Sequence, residues 1–189
     1  MGDSKDAVLL DDLVHFPGHV LGARLHIGED FDLDGPVAEH HLDDVPGLDG
    51  LTGLGGKKDF APHQLGHALS EKFDVYHGES LTAIWSSWAR YVLDTDVSRF
   101  ARFARNVWGV EAADDKEAAP AGIAAQEAFF RSIGMPVRIP ALFCGRQDEA
   151  GLADLASRCS YGRTRTIGTF RVLGYDDILA IYQLANNEE

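Results

Sequence analysis

The strongest constraint on the fold is a series of helical apolar patterns that begins near residue 60, with no alternating strand pattern between them. The segment Glu79–Leu93, for example, places large apolar side chains at helical spacing on or near one stripe. The predicted helices cover approximately residues 62–73, 79–93, 98–108, 115–133, 148–158 and 175–186. These patterns predict an all-α fold, a helical bundle of five to six helices.

Caps and breakers set the expected boundaries of these helices. Asp59 and Pro62 have the positions of a cap and a first-turn proline, so they predict the start of the first helix. Pro120 falls inside the fourth pattern, where it should kink the helix or move its start to a later residue. The run Gly134-Met135-Pro136 predicts the end of that helix.

The first fifty residues differ in composition from the rest of the chain. They contain 12 acidic and 2 basic residues, whereas residues 51–189 contain 18 acidic and 15 basic residues. Glycine and proline recur every few residues there, and no helical period is sustained. We therefore expect two regions, an irregular acidic N-terminal extension at 1–47 and a helical domain at 48–189. Two interpretations of the extension stay open: a poorly packed segment, or one that is not native to the fold.

Composition also excludes several classes of protein. The chain has no basic face of the kind that binds nucleic acid. It has no apolar run long enough to cross a bilayer, and its N-terminus lacks the pattern of a signal peptide. Two cysteines, Cys144 and Cys159, have a spacing that matches neither a redox pair nor a zinc ribbon, so we expect free thiols. A cytoplasmic location without nucleic-acid or membrane partners is expected.

Three histidines in a short window are the best candidates for chemistry. Residues 51–189 contain only His63, His67 and His77, and all three fall within fifteen residues. His63 and His67 are four residues apart, so they share one face of a helix. If the helix continued to His77, that residue would lie about 21 Å from His63 along the axis. One ion can bind both rings only if the chain turns between them, and Asp74–Gly78 is the segment that permits a turn.

The sequence around these histidines resembles that of a known protein family. The segment Leu51–Gly78, which contains DFAPHQLGHALSEKFDVYHG, is similar to the metal-site segment of the iron-containing alcohol dehydrogenases. Within that family, the segment resembles the butanol dehydrogenase-like branch that uses NADPH. The similarity continues through AIWSSWARYV, SRFARFARNVWGV, EAFFRSIGMPVRI and GTFRVLGYDDILAIYQLA, and extends over about 48–186. It implies the C-terminal helical domain of that family, which is dehydroquinate synthase-like in fold.

The resemblance also implies roles for the three histidines. His63 and His77 match two ligands of a divalent metal, usually iron and sometimes zinc. His67 matches a catalytic histidine that lies near the nicotinamide and the substrate and helps to move protons. In full-length relatives the metal polarises an aldehyde or alcohol while hydride passes to or from NAD(P)H.

Two parts of the family pattern are not recognisable in this sequence. Relatives complete the metal site with an Asp and a His four residues apart, and they carry a preceding nucleotide-binding domain. Asp11 and His15 have that spacing, but Phe16-Pro17-Gly18 would end any helix there at once. The run His40-His41-Leu42-Asp43 is a weaker alternative. No glycine-rich phosphate loop follows a strand.

Three hypotheses for function therefore remain open. The chain is the catalytic helical domain of an alcohol dehydrogenase or aldehyde reductase that acts on small alcohols or aldehydes. As an isolated polypeptide it is a truncated, inactive remnant. Alternatively, it is a module that docks with a separate nucleotide-binding domain or forms a homo-oligomer.

Overall fold

Helices dominate the computed structural model, which describes residues 59–187. The remaining regular structure in this range is short. It consists of two 3-10 helices, Leu93–Thr95 and Ile139–Ala141, and one isolated antiparallel bridge between Ile167 and Leu173. The six α-helices are α1 (Ala61–Phe73), α2 (His77–Val92), α3 (Val97–Trp108), α4 (Asp115–Ser132), α5 (Glu149–Cys159) and α6 (Tyr175–Ala185). The all-α prediction is confirmed for this range, and the predicted irregular extension at 1–47 lies outside it.

Helix α4 begins at Asp115, where its pattern predicts, with Pro120 inside it. Of the two effects expected of Pro120, a kink or a later start, the later start does not occur. The Asp114 carboxylate accepts a hydrogen bond from the Glu117 N–H (3.0 Å), and the Glu117 carboxylate accepts one from the Ala113 N–H (3.1 Å). This reciprocal cap stabilises the first turn, so the hydrogen bond that a proline cannot donate does not displace the start.

The core lies where α2, α3 and α4 meet. The Trp85 ring of α2 contacts Phe103 of α3 and Phe130 of α4, each with ring centroids 6.1 Å apart. All three side chains are buried, as the helical patterns predict. Gly122 of α4 lies against α3 so closely that a Cβ atom there would be 2.4 Å from the Cβ of Ala104. This glycine therefore permits the close approach of the two helices.

A buried carboxylate links α4 to α2 and to the segment that follows α4. Glu127 of α4 is 2% exposed and pairs with Arg90 (2.6 Å), Arg131 (2.7 Å) and Arg138 (3.3 Å). Arg138 also donates a hydrogen bond to the Ser86 hydroxyl of α2 (2.8 Å). The segment after α4 is thereby fixed against the C-terminal half of α2, which keeps α2 in place.

The last two helices donate hydrogen bonds to the backbone of α1. The Tyr182 hydroxyl of α6 donates a hydrogen bond to the backbone carbonyl of Leu65 (2.8 Å). The Cys159 thiol at the end of α5 donates one to the backbone carbonyl of Gln64 (3.5 Å). Both acceptors lie between His63 and His67, so these contacts fix the helix that carries the two histidines. None of the helices within 59–187 has the length and apolarity that a membrane span requires.

Candidate metal and proton-transfer site

The chain reverses between the second and third candidate histidines. Helix α1 ends at Phe73, and Asp74 adopts a left-handed conformation (φ 55°) with its N–H bonded to the carbonyl of Ser70. Tyr76 precedes the next helix, and His77 is the first residue of α2. The turn therefore occurs where the sequence permits it, and α2 begins two residues earlier than its pattern indicates.

The reversal brings the three imidazole rings together. The ring centroids of His63 and His77 are 5.4 Å apart, and those of His67 and His77 are 4.9 Å apart. The His63 and His67 rings are 6.5 Å apart on successive turns of α1. Residues separated by fourteen positions in the sequence thus form one cluster, as the metal hypothesis requires.

A glycine between the two histidines of α1 allows the second helix to approach. A Cβ atom on Gly66 would lie 2.9 Å from the Leu81 Cδ2 atom and 3.0 Å from the Ser80 hydroxyl oxygen. The Ser70 hydroxyl donates to the Ser80 hydroxyl (3.1 Å), which in turn donates to the backbone carbonyl of His77 (2.8 Å). These contacts connect α1 with the first turn of α2 and so determine where the His77 ring lies.

The cluster is accessible from one side. His67 and His77 are exposed, whereas His63 is half-buried. The Phe60 ring stands edge-on to the His63 ring, with centroids 5.6 Å apart, and is 42% exposed. An ion or a small substrate can therefore reach the imidazoles directly.

The donor chemistry suits a borderline divalent ion, but the ligand set is incomplete within the described range. Neutral imidazole nitrogens are common ligands of Fe(II) and Zn(II). Among residues 59–187, no three His, Cys, Asp or Glu side chains already converge on one point. The candidates for the remaining ligands, Asp11 with His15 and the His40–Asp43 run, lie outside the residues that the structure describes. The described residues therefore supply imidazole donors close together but no complete ligand set.

Sequence reasoning missed the residues that hold the cluster together. Within residues 59–187 it named only the three histidines, whereas the structure adds Gly66, Ser80 and Phe60. Gly66 left a readable signal, because a glycine inside a helical pattern often indicates close packing. Ser80 and Phe60 left none, since their contacts depend on the angle between α1 and α2.

Comparisons with known proteins identify the family of the chain. The family model described as "Fe-containing alcohol dehydrogenase family, C-terminal" matches residues 50–186. The probable NADH-dependent butanol dehydrogenase 2 of Bacillus subtilis is 35% identical over 137 residues, which are 71% of this chain and 34% of that protein. The NADPH-dependent aldehyde reductase YqhD of Escherichia coli is 32% identical over 92 residues, 49% of this chain and 24% of that protein.

A solved structure shows the same fold. The crystal structure of NADH-dependent butanol dehydrogenase A from Thermotoga maritima superposes with a TM-score of 0.68 and 23% identity, and the match covers 75% of this chain and 37% of that chain. The chain thus spans about a third of the length of the relatives that it matches. Because the family model covers most of the sequence and the fold is shared, the chain belongs to the iron-containing alcohol dehydrogenase family and contains its C-terminal domain.

Proposed function

We propose that this chain is the catalytic helical domain of a metal-dependent alcohol dehydrogenase or aldehyde reductase, in which His63 and His77 hold the ion. The observation that carries the proposal is the 5.4 Å separation of their ring centroids across the turn between α1 and α2. Iron is the first candidate by family, with zinc as the alternative. When bound, either ion supplies a Lewis acid that polarises the oxygen of an aldehyde or alcohol.

His67 is the proposed proton carrier. Its ring lies 4.9 Å from the His77 ring and is exposed, so it can exchange a proton with a substrate oxygen near the ion and with solvent. His63 is half-buried beside Phe60 and is therefore better suited than His67 to act as a fixed ligand of the ion.

The proposed reaction interconverts small alcohols and aldehydes with NAD(P)H. The choice of nicotinamide stays open, because the matched relatives named above include both NADH-dependent and NADPH-dependent enzymes. We retain the NADPH-dependent branch as the proposal from sequence. Residues 48–189 form the proposed metal-binding domain, residues 1–47 the proposed extension, and a cytoplasmic location without nucleic-acid partners accompanies this function.

We further propose that the chain does not catalyse the reaction alone. No phosphate-binding loop is recognisable in its sequence, and hydride transfer requires a site that holds the nicotinamide beside the substrate. Steady consumption of NADPH or NADH with butyraldehyde by the purified chain would contradict this part of the proposal.

A second candidate function is that of a module for a separate nucleotide-binding chain or a second copy. Its support is exposed aromatic surface beside the cluster. An open cleft of about 480 Å³ adjoins the first turn of α2 and is lined by residues including Glu79 and Met135. The Tyr76 and Phe143 side chains at this cleft are 81% and 74% exposed. Such surface is typical of protein contacts. Self-association in gel filtration, lost in a Tyr76→Ser and Phe143→Ser variant, would favour this function.

Metal analysis of a His63→Ala variant tests the main proposal. The chain is loaded with zinc or Fe(II), exchanged into metal-free buffer and analysed for bound metal. We expect His63→Ala to retain much less metal than the unmodified chain, because one of two proposed ligands is lost. Gln64→Ala, on the same helix, is the matched control and should retain the normal amount. Equal retention by His63→Ala and the control, with helical circular dichroism intact, would show that the proposed site is wrong.

A further inference from the structure

An arginine-rich segment follows α5, away from the three histidines in the sequence. Residues 155–175 contain four arginines and no acidic residue, in a chain whose net charge is −13. Two of these arginines, Arg158 and Arg171, pair with carboxylates 3.0 and 3.5 Å away. The other two, Arg163 and Arg165, form no ion pair within the part of the chain that the structure describes. Two guanidinium groups are therefore available to bind an anion.

Each of these two guanidinium groups lies over a tyrosine ring. The Arg163 Cζ atom is 3.7 Å from the centroid of the Tyr175 ring, and the Arg165 Cζ atom is 3.7 Å from that of Tyr161. The Arg165 Nε–H also donates a hydrogen bond to the backbone carbonyl of Cys159 (3.0 Å). A guanidinium that stacks through its face can still donate hydrogen bonds to an anion through its edge. Stacking thus holds both groups in place, which lowers the entropy cost of binding a ligand.

The backbone of this segment adopts a conformation that is costly for residues with a side chain. Tyr161, Gly162 and Arg163 have consecutive positive φ angles of 48°, 63° and 70°. The buried Ser160 hydroxyl fixes this turn, because it accepts a hydrogen bond from the Arg163 N–H (3.2 Å) and donates one to the Ala156 carbonyl (2.7 Å). Non-glycine residues held in this conformation are concentrated at functional sites. The strain therefore favours a binding role for the turn over a merely connecting one.

We propose that the turn at residues 160–166 binds a phosphate group of a small molecule through the guanidinium groups of Arg163 and Arg165. The Cα atoms of these arginines are at most about 7 Å apart, since the two residues are two positions apart, and both side chains are long enough to reach one ligand. A phosphate has three strong acceptor oxygens and can accept hydrogen bonds from two guanidinium groups at once. The inference is independent of the proposed dehydrogenase function, because none of the three histidines takes part.

Isothermal titration calorimetry of the full chain tests the proposal without any measurement of enzyme activity. Pyrophosphate, adenosine diphosphate and acetate are titrated in metal-free buffer at low ionic strength, because salt screens the charge of an exposed site. We expect saturable binding of both phosphate compounds and none of acetate. Equal affinities for the two would identify the phosphates themselves as the ligand, whereas tighter binding of adenosine diphosphate would identify a nucleotide. Absence of saturable phosphate binding, or equally tight binding of acetate, would overturn the proposal.

Substitutions assign the binding to the turn. Arg163→Gln and Arg165→Gln should each weaken pyrophosphate binding by about tenfold to a hundredfold, because each removes hydrogen bonds to a charged group. Arg163→Lys retains the charge but not the planar fork, so its affinity should lie between those of Arg163→Gln and the unmodified chain. Arg146→Gln, at an exposed position outside the turn, removes the same charge and should bind normally. Normal affinity in Arg163→Gln, or equal weakening in Arg146→Gln, would overturn the proposal, with circular dichroism as the check that each variant is folded.

Discussion

Two buried side chains stabilise α1, the helix that carries His63 and His67. Cys159 and Tyr182 are both buried, and they donate hydrogen bonds to consecutive backbone carbonyls of α1. Burial raises the pKa of the Cys159 thiol to about 11, although the Arg165 guanidinium opposes this change. Burial also raises the pKa of Tyr182 well above its ordinary value. Both groups are therefore neutral donors at neutral pH.

The raised pKa of Cys159 predicts a loss of stability in alkaline solution. In the unfolded chain the thiol has its ordinary pKa near 9.0, so the folded state binds the proton more tightly. The resulting stabilisation is fully present below pH 9 and is lost as the pH rises towards 11. A difference of about two pKa units corresponds to roughly 2–3 kcal/mol.

Urea unfolding from pH 7 to 11 measures this effect. We expect the free energy of unfolding to decrease more steeply above pH 9 in the unmodified chain than in Cys159→Ala. Cys159 also contributes to the raised pKa of Tyr182, so the difference between the two proteins reports the cysteine together with its effect on the tyrosine. Parallel pH profiles would contradict the assignment.

At the scale of elements, the contact between α1 and α2 forms the site. Gly66 leaves space for Ser80 and Leu81, and the Ser70–Ser80 hydrogen bond continues to the backbone of His77. A side chain on residue 66 would separate the two helices at the level of the cluster. The glycine costs about 1 kcal/mol of helix propensity relative to alanine, so its presence is best explained by this close approach.

Gly66→Val is therefore expected to affect both stability and metal binding. Overpacking of this contact should lower the free energy of unfolding by roughly 1–3 kcal/mol and weaken zinc binding, because His77 moves away from His63. Ala121→Val, at an exposed position of α4, is the control for the intrinsic cost of valine in a helix. Denaturant unfolding and zinc titration of both variants provide the measurement. Normal zinc affinity in Gly66→Val would show that the contact does not position the ligands.

The sequence predicts the helices of this domain better than it predicts their ends. Apolar spacing identifies the buried faces of α2 and α3, because burial repeats with the helical period. The apolar pattern of α2 begins near Glu79, two residues after the observed start at His77, since the first turn carries no apolar side chain inward until Leu81. The start of α4 at Asp115 agrees with its pattern, and the cap formed by Asp114 and Glu117 explains why Pro120 does not move that start.

The candidate site could be predicted only as a set of residues. The spacing of His63 and His67 follows from helix geometry, and the need for a turn before His77 follows from the reach of one ion. The ring distances depend on the packing of Gly66 against α2, which no local pattern encodes. For this reason the approach of His67 to His77 was not expected from the sequence.

At the scale of the whole molecule, the cluster lies at an accessible surface of the described domain. His67, His77 and the nearby Tyr76 are exposed, and the chain spans about a third of the length of its matched relatives. The described helices bring three imidazoles together at this surface. The proposed function therefore requires further ligands and a nicotinamide site from outside residues 59–187.

Anomalous X-ray diffraction from zinc-loaded crystals of the full chain tests the central claim most directly. We expect one anomalous peak within bonding distance, about 2.0–2.1 Å, of a ring nitrogen of both His63 and His77. A peak at the N-terminal histidines alone, or one bonded to His63 without His77, would contradict the account.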